Sequence, residues 1–567
     1  MLTSLEDAAP ILELRDLRTV FPLANGGELK AVDGVSFTLH RGRTLCIVGE
    51  SGSGKSITAR SIMQIVGAPG RIAGGQILYH ARVGQKPVDI ARLHPKGADM
   101  RALRGRDIAM IFQEPMTSLS PIHKIGWQIG EPLLAHRMAD RKTAKRRAIE
   151  LLRQVEIPNP ESAVDRYPFE FSGGMRQRAM IAMALACDPK ILIADEPTTA
   201  LDVTTQAEVL RLIKRLQREN GLAVLFITHD MGVVAQIADD VLVMYQGQVV
   251  EHGPVEQIFH APEHPYTQRL LEASQKLGMA APPARPVVNA TQPLLQVRGV
   301  TLAYPPQTSL FRKPIVPPPA VRDVSFDLFE GENLGIVGES GSGKTTLGNC
   351  LIRVLTPGDG EIVYRKRDGD EVDLVKLDRA GLRPVHREIR MVFQDPFASL
   401  NPRMTVAQVV GEPLLVNGLL SGRALSARVS ELLMKVGLPP DAGQRYPHAF
   451  SGGQRQRIVI ARALALDPRL IIADEATSAL DVTLRGQILD LLLALQKPLG
   501  LSFVLISHDL GVIRYFCNRI AVMYRGQIVE MGPSDDICFR PREAYTKALL
   551  AAVPEADPRR RNLLEAA

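Results

Sequence analysis

The sequence predicts an α/β protein made of two tandem domains of one kind, and three observations predict it. The first is an octapeptide that occurs twice. Gly49-Glu50-Ser51-Gly52-Ser53-Gly54-Lys55-Ser56 returns as Gly338-Glu339-Ser340-Gly341-Ser342-Gly343-Lys344-Thr345. The second is register: Tyr167 to Leu271 is echoed by Tyr446 to Leu550 at one constant offset. The third is context, since each octapeptide follows a short apolar run and opens a helix-like segment, the strand–loop–helix arrangement of a phosphate-binding loop. A chain of 567 residues is too long for one core and suits two to four domains.

In chain order, Ile11-Leu12-Glu13-Leu14 and Leu294-Leu295-Gln296-Val297 each begin an alternating strand pattern. Val35-Ser36-Phe37-Thr38-Leu39 and Val324-Ser325-Phe326-Asp327-Leu328 supply a second strand. A third, Leu45-Cys46-Ile47-Val48 or Leu334-Gly335-Ile336-Val337, runs straight into the glycine-rich loop. The Pro/Ala-rich stretch from Met279 to Pro286 reads as a semi-rigid linker. A second proline-rich insert, Pro305 to Pro319, reads as an exposed loop, because proline at that density does not suit a sheet. The predicted organisation is a 1–10 extension, a first domain over 11–275, a linker over 276–293, a second domain over 294–555 and a tail over 556–567.

Composition narrows the class. Apolar residues make 45% of the chain and charged residues 23%, ordinary values for globular protein. No uninterrupted apolar stretch is long enough to cross a bilayer as a helix, and the acidic start Met1 to Asp7 lacks a secretory pattern. The expectation is a cytoplasmic chain whose membrane crossing, where needed, comes from partners. A net charge of +7 suits anionic lipid or nucleic acid, but 68 basic residues against 61 acidic read better as ordinary surface charge, so no nucleic-acid partner is expected. Cys46, Cys187, Cys350, Cys517 and Cys538 are scattered without metal-ligand spacing and read as small buried hydrophobes.

The loop glycines let backbone N–H groups face a phosphate, and the helix behind presents its positive end to the anion. Lys55 and Lys344 are placed to reach the β- and γ-phosphates, with Ser56 and Thr345 on Mg²⁺. Downstream, Ile191-Leu192-Ile193-Ala194-Asp195-Glu196 and Leu470-Ile471-Ile472-Ala473-Asp474-Glu475 read as buried strands ending in two carboxylates. Asp195 and Asp474 are the expected Mg²⁺ ligands, and Glu196 and Glu475 the groups that polarise the attacking water.

The next repeat, Phe171-Ser172-Gly173-Gly174-Met175-Arg176-Gln177-Arg178 and Phe450-Ser451-Gly452-Gly453-Gln454-Arg455-Gln456-Arg457, carries a resemblance. The chain resembles the ATPase of an ABC transporter, whose signature is Ser-Gly-Gly-Gln after an apolar residue. The fold this implies is two tandem P-loop NTPase domains, each a RecA-like α/β core with an antiparallel β subdomain and a helical signature subdomain. The resemblance implies that the signature of one domain, Ser172, Gly173 and Gly174 or Ser451, Gly452 and Gly453, completes the ATP site of the other. ATP contacts are then expected at Gly49, Ser51, Gly52 and Gly54 and at Gly338, Ser340, Gly341 and Gly343. Gln113 and Gln394 match the Q-loop glutamine that joins Mg²⁺ and water to the membrane-facing subdomain. Asp202 and Asp481 match the D-loop that crosses between sites, and His229 and His508 the switch histidine at the γ-phosphate. Phe21 and Tyr304 are candidate stacking platforms for adenine. Met175 departs from the usual Gln, with a modest effect expected on the site containing Lys344; Ala476 stands where the first copy has proline, a neutral change.

Both halves keep Lys, metal ligands, Glu and His, so both are expected to hydrolyse ATP, which excludes a non-enzymatic scaffold. The loops Phe112 to Pro121 and Phe393 to Pro402, the tails His264-Pro265-Tyr266-Thr267 and Glu543-Ala544-Tyr545-Thr546, and the insert Leu310 to Lys313 are similar to those of dipeptide and oligopeptide importers. That group implies two permease subunits, an extracytoplasmic solute-binding protein, and a peripheral place on the cytoplasmic face of a bacterial inner membrane. The cargo stays open among peptides, glutathione, nickel chelates and similar compounds. Residues 264–294 contain no cysteine, so the iron–sulfur cluster of some relatives is not expected. The rival from another class is a soluble twin-ATPase translation factor, disfavoured by the short proline-rich linker. An excinuclease-type ATPase is disfavoured by the absence of zinc-binding cysteine pairs.

Overall fold

The computed structural model describes residues 9–565, apart from 24–25, 114–117, 200, 279–284, 286–290, 306, 310–311, 316–317, 394 and 479. The chain divides into two compact units, Met1–Ser274 with Ala552–Ala567, and Gln275–Ala551. Residues 556–567, expected as a C-terminal tail, fall within the first of these units.

In the first unit, β1 (Pro10–Pro22), β2 (Glu28–His40), β4 (Arg71–Tyr79) and β5 (Val88–Asp89) form an antiparallel sheet in the order β2-β1-β4-β5. The alternating burial of β1 and β2 gives each one core face, as the period-2 pattern requires. A six-stranded sheet contains β3 (Thr44–Val48), β6 (Ile108–Ile111), β7 (Ile191–Asp195), β8 (Ala223–Ile227), β9 (Asp240–Tyr245) and β10 (Gln248–Pro254), ordered β10-β9-β3-β8-β7-β6. The strands from β9 to β6 in that order pair in parallel, and β10 runs antiparallel on β9. Every residue of β3, β7 and β8 is buried, which is why those strands read as unbroken apolar runs. One core joins the two sheets, from Leu12 and Leu14 on β1 through Ile47 on β3 to Ile193 and Leu225. Helices Ile125–Ala135, Arg141–Gln154 and Gly173–Ala184 form the helical part.

The second unit repeats the plan. β11 (Pro293–Leu302), β14 (Val321–Phe329), β16 (Asp359–Arg365) and β17 (Glu371–Asp373) make the antiparallel sheet β14-β11-β16-β17. β15 (Asn333–Val337), β18 (Ile389–Val392), β19 (Leu470–Asp474), β20 (Ser502–Ile506), β21 (Arg519–Tyr524) and β22 (Gln527–Pro533) make the large sheet β18-β19-β20-β15-β21-β22. Its core runs from Leu295 and Val297 to Ile336, Ile472 and Val504.

The proline-rich insert corrects the loop expectation. β12 (Gln307–Ser309) and β13 (Arg312–Ile315) pair as a two-stranded antiparallel ribbon, Gln307 opposite Ile315 and Ser309 opposite Arg312. Pro314 sits in β13 between the paired positions. A two-stranded ribbon has an unpaired side on each strand, so a residue without an N–H is tolerated there. Leu310 and Phe311, and most of the linker from Met279 to Pro286, lie outside the described residues. Among the described residues no helix is long and apolar enough to cross a membrane. Cys46, Cys187, Cys350 and Cys517 are buried as expected, while Cys538 is only half-buried.

Candidate functional site

The order β3-β8-β7 fixes the site of the first unit, because three adjacent parallel strands end at one edge. That edge is where open α/β sheets collect ligand-binding loops. The glycine-rich loop leaves β3, the Asp195-Glu196 pair ends β7, and His229 follows β8. β15, β20 and β19 do the same in the second unit.

The loop demands glycine at two points. Gly49 and Gly54 have φ of +150° and +100°, and a Cβ would stand 2.2 Å from the Met244 carbonyl oxygen or 2.3 Å from that of Ala31. Gly338 and Gly343 meet Met523 and Ala320 in the same way, each at 2.1 Å. Helices Lys55–Ile62 and Lys344–Leu351 start directly behind. The buried Lys55 ammonium donates to the carbonyls of Gly49 and Glu50, both at 2.7 Å, and Lys344 repeats both bonds to Gly338 and Glu339. Ser51, Gly52, Ser340 and Gly341 complete the two loops.

Ser56 Oγ donates to Asp195 Oδ1 at 2.8 Å, and Thr345 Oγ1 to Asp474 Oδ1 at 3.3 Å. Burial raises the pKa of both aspartates, opposed by those hydroxyls, and Asp474 is pushed up to about 6. Glu196 goes the other way. Burial opposes its ionisation, but the bond from His229 and its charge, the Thr199 hydroxyl and Lys55 together pull it down to about 2. Its Oε2 accepts from Gln113 Nε2 at 3.0 Å and Thr199 Oγ1 at 2.9 Å, and its Oε1 lies 3.4 Å from His229 Nδ1. In the second unit His508 Nδ1 lies 3.2 Å from Glu475 Oε1. Ser478 Oγ, where the first copy has Thr199, donates to the backbone carbonyl of Glu475 instead, at 2.9 Å. Gln394 lies outside the described residues.

Both glutamates occupy left-handed backbone, φ +47° at Glu196 and +46° at Glu475. For a residue with a Cβ this costs about 1–2 kcal/mol, and such strain concentrates at functional sites. The strand hydrogen bond continues through them, Glu196 N–H to the Ile227 carbonyl and Glu475 N–H to that of Ile506, each 2.9 Å. The chain is thus held where the carboxylate turns away from the strand.

The remaining predicted residues occupy neighbouring elements. Ser172 and Ser451 cap helices Gly173–Ala184 and Gly452–Leu464, accepting from the N–H of Met175 and Gln454 at 3.3 and 3.4 Å. The Gln454 side chain accepts the Ser451 N–H at 3.1 Å in turn, a capping box that the thioether of Met175 cannot make. Gly174 is closely packed, since a Cβ there would stand 2.5 Å from Thr205 Cγ2; the corresponding distance at Gly453 is 3.1 Å, to Leu484. Asp202 and Asp481 cap helices Val203–Asn220 and Val482–Leu499, accepting from Thr205 and Leu484 N–H at 2.9 and 3.0 Å. Tyr304 reaches the loop helix, its hydroxyl 3.3 Å from Thr346 Oγ1, whereas the Phe21 ring lies against Gly70, at the start of β4.

Three site residues escaped sequence reasoning. Tyr266 Oη accepts the Glu50 N–H at 2.9 Å and Tyr545 Oη the Glu339 N–H at 3.0 Å, so a tyrosine from each repeated tail buttresses the phosphate loop. Their rings pack on Tyr245 and Tyr524, centroids 4.4 and 4.2 Å apart. Recurrence of both tyrosines at the offset that relates the two copies is the signal that could have found them. Thr199, the third, sits in a Thr-rich turn whose composition says nothing about where a hydroxyl points.

The family model "ABC transporter" matches residues 32–199 and 321–478, and "Oligopeptide/dipeptide transporter, C-terminal region" matches 250–296 and 529–567. The chain is 50% identical to "Glutathione import ATP-binding protein GsiA" of Salmonella typhimurium strain LT2, over 98% of its own length and 91% of the relative's. The protein of the same name in Escherichia coli K12 is 49% identical over the same shares. Among solved structures, the dimeric ATP-binding cassette MJ0796 bound to ADP and Pi is 32% identical over 42% of this chain and 98% of that one, with a TM-score of 0.37.

The tyrosine buttress and the buried aspartate can each be tested. Tyr266→Phe and Tyr545→Phe each leave a loop N–H without its acceptor, a loss of about 1 kcal/mol. ATP affinity measured by fluorescence titration should fall roughly fivefold per site, with kcat little changed; an unaltered Kd in the double variant would dismiss the buttress. Asp474 is costly to fold as a carboxylate, because its pKa is higher in the folded chain than unfolded. Its penalty is absent below about pH 4, grows through pH 6 and is complete above that, at roughly 2–3 kcal/mol. Asp474→Asn should raise the Tm of the nucleotide-free protein at pH 7.5 and leave it unchanged at pH 4. A lower Tm at pH 7.5 would contradict the assignment.

Proposed function

This chain belongs to the ABC transporter ATP-binding proteins with the oligopeptide/dipeptide C-terminal region, and from that premise we propose that it powers import of glutathione or short peptides. It hydrolyses ATP to drive transport, and its membrane permease partners provide the path. The relatives named for glutathione import, half identical over nearly the whole chain, support that cargo. The C-terminal region matched after each half speaks for a transporter subunit rather than a translation factor. In the proposed assembly two permease subunits bind the chain at the cytoplasmic face of the inner membrane, and a solute-binding protein brings the cargo. The proposed domain limits remain 11–275 and 294–555 around the linker.

The observation that carries the mechanism is the bonding of Glu196. Its carboxylate is kept ionised by His229, Thr199 and the loop lysine Lys55 and accepts a further bond from Gln113, as required of a group that orients water. Lys55 and Lys344, with the backbone of Gly49 to Gly54 and Gly338 to Gly343, hold the phosphates. Phe21 and Tyr304 stack on adenine. Ser172, Gly173 and Gly174, and Ser451, Gly452 and Gly453, present helix-start donors to phosphate. Asp202 and Asp481 fix the starts of the helices beside the sites, and His229 and His508 relay the state of the γ-phosphate. The oxygen donors of Ser56, Asp195 and Gln113, and of Thr345, Asp474 and Gln394, suit a hard cation. Mg²⁺ bound there would neutralise phosphate charge during transfer. Catalysis rests on positioning, with no covalent step on the protein.

Glu196→Gln with Glu475→Gln should leave ATP binding intact and lower hydrolysis at least 100-fold. In a strain lacking the native gene, that variant should fail to restore uptake of labelled glutathione, whereas the unaltered gene restores it. Restoration of dipeptide uptake alone would move the cargo to peptides, and near-normal hydrolysis in the double variant would defeat the role given to the glutamates.

A further inference from the structure

Each compact unit contains the stretch of chain that trails the other half. The first unit includes residues 552–567, which trail the second ATPase half, and the second unit begins at Gln275, at the end of the first half. The first segment is anchored by the buried Gln236, the second by the buried Arg514 and by a half-exposed Lys276–Asp490 pair.

In the first unit Gln236 is fully buried. Its Nε2 donates to the carbonyls of Glu555 and Arg560 at 2.9 and 3.0 Å, and its Oε1 accepts the Leu563 N–H at 3.1 Å. Arg211 Nε donates to the Leu563 carbonyl at 2.7 Å, and Arg561 Nη2 to that of Ala238 at 2.8 Å. The Leu563 side chain is fully buried. In the second unit Lys276 pairs with Asp490 at 2.7 Å and stands 5.4 Å from the centre of the Tyr515 ring. Arg514 Nη1 donates to the Gly278 carbonyl at 3.1 Å, and Arg285 donates to the Arg514 carbonyl.

The two docking places coincide under the offset that relates the two copies. Arg211 corresponds to Asp490, Gln236 to Tyr515 and Gly232 to Gly511. Both glycines are pressed by the incoming backbone: a Cβ would stand 3.0 Å from the Pro554 carbonyl oxygen at Gly232 and 2.1 Å from that of Leu277 at Gly511. A glycine is therefore explained at both places by the segment that covers it. The anchoring chemistry differs, an amide clasp on one unit and a lysine–aspartate pair on the other. The receiving helices, Met231–Ile237 and Leu510–Phe516, begin just after His229 and His508.

We propose that residues 275–278 with Arg285, and residues 552–565, are reciprocal straps, each tying its own half to the helix behind the other half's switch histidine, so that the two halves stay attached without nucleotide even when the linker is cut. The linker alone tethers the halves once; the straps add two bound attachments and keep the effective concentration of each half high at the other. The inference does not depend on the cargo.

The test uses the full chain with a protease site inserted within residues 286–290, cut after purification. The cut leaves both straps on their own halves. In nucleotide-free buffer the two pieces should elute together in size-exclusion chromatography at the mass of one chain. Deletion of 552–567 combined with Asp490→Ala should release them, and Gln236→Ala with Asp490→Ala, which keeps every segment, should raise their dissociation constant at least tenfold. Separation of the unaltered pieces would overturn the proposal, as would an unchanged dissociation constant in both variants. Elution at the mass of two chains would place the exchange between copies and overturn pairing within one.

Discussion

The nucleotide sites depend on one constraint: three parallel strands, adjacent in the sheet but far apart in sequence, must end at the same edge. β3, β8 and β7 bring together a loop that begins at Gly49, the histidine His229 and the carboxylate pair Asp195-Glu196. Wholly buried strands are what make this possible, because covered faces on both sides leave the strand ends as the place for polar groups. The cost of that burial falls on Asp195 and Asp474, which carry raised pKa values, and is relieved at Glu196 by its three polar neighbours.

Much of this is legible in the sequence because the chemistry is local. A loop of glycines before Lys55, or two carboxylates after a run of apolar residues, declares its geometry within one short stretch, and the second copy removes chance. What escapes is long-range. Tyr266 lies 216 residues from the N–H it accepts, and no periodicity records that pairing. The insert at 305–319 reads as a loop because proline forbids an interior strand, yet one side of a two-stranded ribbon admits it. The segment over 556–567 reads as a bare tail because its partners are remote. Arg211 lies 352 residues from Leu563, and Gln236 lies 319 residues from Glu555.

The repeat is faithful in backbone and less so in side chains. Gln454 closes a capping box that Met175 leaves open, and Thr199 bonds a carboxylate where Ser478 bonds a carbonyl. Each difference is one hydrogen bond, about 1 kcal/mol, so the two copies share a backbone plan without sharing every contact.

The left-handed backbone at Glu196 and Glu475 has a consequence for anyone improving this protein in the laboratory. Glycine takes such a conformation without steric penalty. At Glu196 glycine would also forfeit the bonds from Gln113 and Thr199 and the ion pair with His229, so the strain and the carboxylate that holds those partners come as one unit. A library screened for heat resistance alone tests that unit's stability and not its chemistry, so a selection must demand hydrolysis at every round to keep both.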